Sequence, residues 1–221
     1  MTHCATDIYF QALGMAQSLG NNGLLGCDDS TKHAEEYVKE ICVHGRGGQG
    51  SLVLAQFMAT AALEDGKYSQ AFPFLGGGGE RRGKPIVAFC RLSDRPIRLR
   101  SRVNEPDYLI VQDATIIKEV DLMAGLKPGG AILVNTDKTA EEVGLSGPFR
   151  FFTFSAEELA RKILGRPIMN TALLGAFAAI TKELSLDAVL KAVRSKFAGD
   201  LGEKNARIVR ESYQRLTEGE K

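Results

Sequence analysis

One short stretch constrains this chain more than any other. Glu40-Ile41-Cys42-Val43-His44 runs straight into Gly45-Arg46-Gly47-Gly48-Gln49-Gly50. An apolar, β-prone run enters a glycine turn, and an alanine-rich helical pattern over 51–63 leaves it. Strand, phosphate-sized loop and helix make the opening unit of a nucleotide-binding α/β domain. Gly45, Gly47 and Gly50 satisfy G-x-G-x-x-G, and Gly48 adds a fourth position without a Cβ. A chain turning sharply from strand to helix needs positive φ, and an approaching pyrophosphate needs uncovered backbone N–H groups. The helix dipole adds partial positive charge at the same place. The competing reading of the same residues is a strand–helix turn that binds nothing.

The rest of the chain supplies enough material for one core. Of 221 residues, 44% are hydrophobic and 25% charged, as in ordinary globular proteins. No apolar run reaches the roughly 18 residues needed to cross a bilayer. The start has neither a basic nor an apolar signal region, so a cytoplasmic location is expected. Cys4, Cys27, Cys42 and Cys90 contain no C-x-x-C pair, which argues against a disulfide framework or a cysteine-ligated cluster. Net charge is only +1 but unevenly placed. Between Glu80 and Arg102 eight basic residues stand against two acidic ones, a net of +6 that leaves −5 elsewhere. Such asymmetry suits an anionic ligand or an acidic partner surface better than nucleic acid.

Residues 1–39 read as an extension with turn signals at Gly20-Asn21-Asn22-Gly23, and residues 40–221 as the domain proper. Within the domain, strands are expected at 68–74, 85–92, 97–103, 107–113, 131–135 and 150–154. Arg98, Arg100 and Arg102 share one face of the third of these, as a solvated edge strand or a binding comb. Helices are expected at 115–126, from a Ser155/Glu158 capping box to 164, at 171–184 capped by Asn170, and at 186–197 and 203–216. The pattern predicts an α/β fold: an open, mostly parallel, Rossmann-like sheet with helices on both faces. A dinucleotide fold usually ends its second strand in an acid that holds the ribose. Here that strand ends Phe72-Pro73-Phe74-Leu75 and leads to Arg81-Arg82, which suits a phosphate-rich ligand such as coenzyme A, or NADP. No nucleophile–base pair can be read from the spacing, and His44, beside the loop, is as consistent with a structural role as with ligand contact.

Several motifs in order complete the reading: the glycine turn, Ala71-Phe72-Pro73-Phe74, Glu80-Arg81-Arg82-Gly83-Lys84-Pro85, Pro96-Ile97-Arg98-Leu99-Arg100-Ser101, Glu105 through Asp113, and Pro167-Ile168-Met169-Asn170-Thr171. Together, over about 40–217, they resemble the gamma subunit of the 2-oxoacid:ferredoxin (or acceptor) oxidoreductases, most nearly the pyruvate type. The resemblance implies a complex that converts a 2-oxoacid, coenzyme A and an oxidised carrier into acyl-CoA, carbon dioxide and reduced carrier. It implies thiamine diphosphate and [4Fe–4S] clusters on alpha, beta and delta (ferredoxin-like) partner subunits, with coenzyme A binding and assembly left to the gamma part. Neither a nucleic acid nor a membrane partner is expected. The four-glycine run Gly76–Gly79 and the leader depart from the pattern and leave room for a branched or aromatic oxoacid such as phenylglyoxylate. A free-standing NAD(P)-binding reductase module and a purely structural subunit are the other readings. The expected ligand contacts are Gly45, Arg46, Gly47, Gly48, Gln49 and Gly50 around phosphate, Arg81 and Arg82 as charge partners, and Asn170 and Thr171 on the far side.

Overall fold

The computed structural model describes residues 38–74 and 82–219. The expectations for the leader up to residue 37, for Gly76–Gly79 and for Arg81 lie outside those residues. The apolar run before the glycine turn is β1 (Val38–Arg46), and Ser51–Glu64 is helix α1. The chain continues as β2 (Tyr68–Pro73), β3 (Pro85–Ser93), β4 (Tyr108–Val111), β5 (Ala131–Asn135) and β6 (Arg150–Phe154). Four helices follow: α2 (Ala156–Leu164), α3 (Asn170–Thr181), α4 (Leu186–Lys196) and α5 (Gly199–Gly219).

The strands form one six-stranded sheet in the order β2-β3-β1-β4-β5-β6. β1, β4, β5 and β6 pair in parallel, while β3 runs antiparallel to both β1 and β2. Five strands therefore share a direction, and the open, mostly same-direction sheet is the expected one. From β1 the chain builds outward to one side through β2 and β3, then crosses to β4 and builds to the other. The switch point lies at the carboxyl ends of β1 and β4, where open α/β sheets bind their ligands.

The two-residue period of the strands sorts the core into two layers. Ile41, Val43, Ile110 and Leu133 face one way and pack with buried residues of all five α-helices. Cys42, Phe89, Leu109 and Ile132 face the other way, onto Ile116, Leu122, Leu126 and Leu145. Helical cover is thus unequal: the second face has a 3-10 turn (Ala114–Lys118) and irregular chain. The short helix expected at 115–126 ends after one 3-10 turn for local reasons. The Asp113 side chain accepts from the Thr115 N–H, and that of Asp121 from the Ala124 N–H, side-chain turns that compete with helix. Gly125 then takes φ 83° with its backbone against the Asn104 carbonyl.

Helix α3 is apolar all round because it is surrounded: Asn170 through Ile180 are all buried. Its Gly175 lets α5 approach closely, for a Cβ there would meet the Ser212 hydroxyl and the Val209 backbone. Neither expected N-cap forms. Ser155 makes no capping bond; Asn135 Oδ1, from the end of β5, instead accepts from the N–H groups of Ala156 (3.0 Å) and Glu157 (3.3 Å). Asn170 is itself the first residue of α3 and turns its amide toward the glycine loop.

Residues 97–103 are not a strand. Their carbonyls find side-chain partners: Arg91, 1% exposed, donates to Ser101 O at 2.8 Å and reaches Leu99 O at 3.5 Å, and Gln70 donates to Ile97 O at 3.3 Å. The guanidinium also pairs with Glu40 at 2.8 Å and lies over the Phe72 ring. A buried cation thus substitutes for a neighbouring strand.

Candidate functional site

At the switch point the glycine turn folds over the end of β1. Gly48 has φ 101° and Gly50 φ 79°, so both use the left-handed region that a side chain disfavours. Among the described residues a Cβ on Gly48 would meet nothing within 4 Å, so they leave this corner of the loop open. At Gly45 the requirement is close packing, since a Cβ would strike Gln112 Oε1 and Ser51 Oγ. Gly47 is fastened to the next segment: its N–H donates to Lys84 O (3.0 Å) and its carbonyl accepts from Gly83 N (3.1 Å). Gly50 is the N-cap of α1, and no side chain caps that helix. The first-turn N–H groups of α1 thus sit behind a loop with an open corner, with the positive end of the helix dipole behind them.

Beneath the loop lies a buried polar relay that joins the expected Asn170 to Ser51 and Gln112, which the sequence did not single out. Ser51 Oγ donates to Gln112 Oε1 at 2.5 Å, and Gln112 Nε2 donates to Asn170 Oδ1 at 2.6 Å. Asn170 Nδ2 in turn reaches Gly50 O at 3.3 Å, and Asn135 Nδ2 donates to Gln112 O at 3.0 Å. Gln112 is 1% exposed and Asn170 8% exposed. Ends of β1, β4 and β5 and starts of α1, α2 and α3 are therefore tied into one frame. The available signal was position: Gln112 and Asn135 are polar residues closing apolar strands.

The predicted site residues divide. Gly45, Gly47, Gly48 and Gly50 shape the loop, and Asn170 supports it from below. Arg82 is exposed and bridges backbone to backbone with Gly47, which brings it beside the loop. Arg46 is engaged elsewhere: its guanidinium holds Asp113 (3.2 Å), Glu119 (2.5 Å), Thr115 and the Gly83 carbonyl. Gln49 spans the loop internally, accepting from Arg46 N at 2.7 Å and donating to Asp113 at 3.1 Å. Both act as braces. Thr171 points away, donating to Asn205 in the helical layer at 2.9 Å. Burial pushes the Asp113 carboxyl up, but hydrogen bonds from Thr115 and Gln49 and the Arg46 charge outweigh it and hold Asp113 below its ordinary value.

Strand order changes what lies beside the loop. In a dinucleotide fold the next parallel strand delivers a ribose-binding acid. Here antiparallel β3 is the neighbour of β1, so its beginning, not its end, reaches the loop, with Arg46 opposite Pro85. Lys84 and Arg82 precede it and are both exposed. The place of the acid is occupied by basic chain, which suits phosphate.

On the second face a pocket of about 240 Å³ opens between the sheet and residues 102–124. His44 and Cys42 reach it among Phe74, Phe89 and Leu109. Burial lowers His44 to about 4, leaving it neutral, and pushes Cys42 up to about 12. Cys90 lies in the opposite core layer, also pushed up by burial. Neither thiol is a ready nucleophile. Among the described residues no group of three His, Cys, Asp or Glu side chains is placed to hold a metal ion, and no helix is long and apolar enough to cross a membrane. Open backbone N–H groups and exposed basic chain are the features an anion would need, and among the described residues no acid–base pair stands at the loop.

Comparison with known proteins gives a consistent result. Pyruvate synthase subunit PorC of Methanocaldococcus jannaschii is 47% identical over 177 residues, covering 80% of this chain and 96% of that protein. The pyruvate/ketoisovalerate oxidoreductases common subunit gamma of Thermococcus litoralis is 45% identical over 179 residues, with 80% and 96% covered. Among solved structures, pyruvate oxidoreductase subunit PORC of Thermotoga maritima superposes with a TM-score of 0.70 at 35% identity, again over 80% of this chain and 96% of that one. The family model described as pyruvate ferredoxin/flavodoxin oxidoreductase matches residues 40–215, from the first buried strand to the last helix, and the chain belongs to that family.

Proposed function

We propose that this chain is the gamma subunit of a pyruvate:acceptor oxidoreductase, and that its glycine loop binds the diphosphate of coenzyme A. The enzyme it serves converts pyruvate, coenzyme A and oxidised acceptor into acetyl-CoA, carbon dioxide and reduced acceptor. Alpha, beta and delta subunits complete the complex and carry thiamine diphosphate and the [4Fe–4S] clusters. Thiamine diphosphate supplies the carbanion chemistry of decarboxylation, and the clusters carry the electrons away. The role of this chain is to hold the thiol substrate by its phosphates and to support assembly in the cytoplasm. The relative from Thermococcus litoralis is named as common to pyruvate and ketoisovalerate oxidoreductases, which supports a gamma subunit that does not itself select the oxoacid.

The observation that carries the reading is the open corner at Gly48, in front of an uncapped α1 and beside Arg82. Gly48→Val obstructs that corner and strains φ without changing charge. Arg82→Ala removes a charge-assisted contact worth very roughly 1.5–3 kcal/mol, about ten- to a hundredfold in affinity. Arg82→Lys recovers only part, because a point charge lacks the bidentate fork. In the assembled enzyme both losses are expected in the coenzyme A dependence of turnover, while carbon dioxide exchange without coenzyme A is spared. Normally assembled variants with an unchanged coenzyme A response would remove the loop from cofactor binding and favour a structural subunit.

A further inference from the structure

Residues 97–103 form a ribbon held by side-chain hydrogen bonds, along which exposed Arg98 and Arg100 alternate with half-buried Ile97 and Leu99. Arg91 holds the Ser101 carbonyl and Gln70 the Ile97 carbonyl, and Val103 is 6% exposed at the ribbon's end. Arg91 in turn is balanced by Glu40. On the outer side Arg98 and Arg100 are exposed. Arg46, Arg161, Arg194 and Arg207 each pair with an acid, whereas Arg98 and Arg100 have no ion-pair or hydrogen-bond partner among the described residues. The two guanidinium groups therefore project from a backbone whose conformation is already set. Two positions apart along the chain, their origins are separated by at most about 7 Å.

We infer that this ribbon is a docking surface for an acidic face of a neighbouring subunit in the same oxidoreductase. Two exposed guanidinium groups on separate stems suit two carboxylates, each taken by one planar fork. The −5 carried outside residues 80–102 opposes a long polyanion such as nucleic acid, and it leaves a confined basic patch that a confined acidic patch complements. Because Arg91 and Gln70 order the backbone before binding, docking avoids the cost of ordering this loop. The inference rests on the chain being a subunit, and not on the coenzyme A assignment.

The test uses the enzyme assembled from all its subunits, captured through this chain. Arg98→Glu with Arg100→Glu is compared with Arg98→Lys and Arg100→Lys. The readout is the amount of the other subunits retained between about 0.05 and 0.5 M salt, where screening shortens from roughly 14 to 4 Å. Charge reversal is expected to lower retention at low salt at least about tenfold, since like charges face each other. The lysine pair keeps at least about half, and wild-type retention declines with salt. The isolated reversed chain melts as wild type does, which excludes misfolding as the cause. Unchanged retention and salt response in the reversed variant overturn the inference. Normal assembly with a weakened response to the electron acceptor overturns it too, by making the acceptor the occupant. Normal assembly with a weakened coenzyme A response does the same, assigning the arginines to the cofactor. Failure of the Gly48 and Arg82 tests leaves this result untouched.

Discussion

His44 shows how one residue's surroundings set a measurable property. It lies half-buried near the end of β1, between Val87 of β3 and Val111 of β4, and the water it loses there lowers it to about 4. An unfolded histidine titrates near 6.5. Between those values the unfolded chain binds a proton that the folded chain refuses, so stability falls as pH drops from about 6.5 toward 4. The shift sets an upper bound of about 3 kcal/mol, less whatever water reaches the ring through the pocket. His44→Gln is therefore expected to flatten this part of the pH profile. Urea midpoints at pH 7 and 4.5 check it, and an equal loss in both proteins would mean that carboxylates alone set the acid limit. Arg46 teaches the opposite lesson. Its position in the glycine motif suggested a phosphate contact, yet Asp113 and Glu119, distant in sequence, take its guanidinium.

At the scale of elements, two contacts decide how pieces meet. Gly175 of α3 faces α5 so closely that a Cβ would lie 2.6 Å from the Val209 carbonyl. Backbone cannot rotate away as a side chain can, so Gly175→Ala is expected to cost about 1–3 kcal/mol. In a domain of this size that lowers Tm by several degrees, at roughly 2–4 °C per kcal/mol, readable by calorimetry. Arg91 joins β3 to the ribbon at 97–103. Arg91→Met leaves the Glu40 carboxylate, 15% exposed, without its cation, and breaking such a pair costs about 3–5 kcal/mol. Adding Glu40→Gln should recover part of the loss. Trypsin should then cut at Arg98 or Arg100 under conditions where the wild-type ribbon resists; a resistant Arg91→Met protein would show that other contacts hold it.

For the whole molecule, β1 begins at Val38 and the family match at residue 40, so the α/β domain is expected to fold without its leader. Removing residues 1–36 should leave one cooperative melting transition within a few degrees of the full chain. A broad, non-cooperative melt would place part of the core before residue 37. The gamma reading carries a further expectation at this scale: the chain expressed alone neither oxidises pyruvate nor carries an iron–sulfur chromophore. Activity of the purified single subunit would overturn that reading.

Much of this was legible in the sequence because it depends on near neighbours. Short apolar or aromatic runs bounded by polar and turn residues placed β1, β3, β4, β5 and β6 within a residue or two of their observed bounds, and the mostly apolar 171–184 correctly signalled a buried helix. The glycine loop was equally clear, since a strand-to-helix turn demands glycines where φ turns positive, and Gly48 and Gly50 are positive. What the sequence could not rank was competition for partners across space. Arg91 displaced a strand at 97–103, Asn135 replaced Ser155 at the start of α2, and Gln112 drew Asn170 away from capping α3. Insertion of antiparallel β3 beside β1, which set basic chain where a ribose acid would stand, is also tertiary. Local pattern determines which segments form strands and helices because burial of one face depends on spacing alone. Which distant group satisfies each buried polar atom depends on the fold, and that is where the candidate site is made.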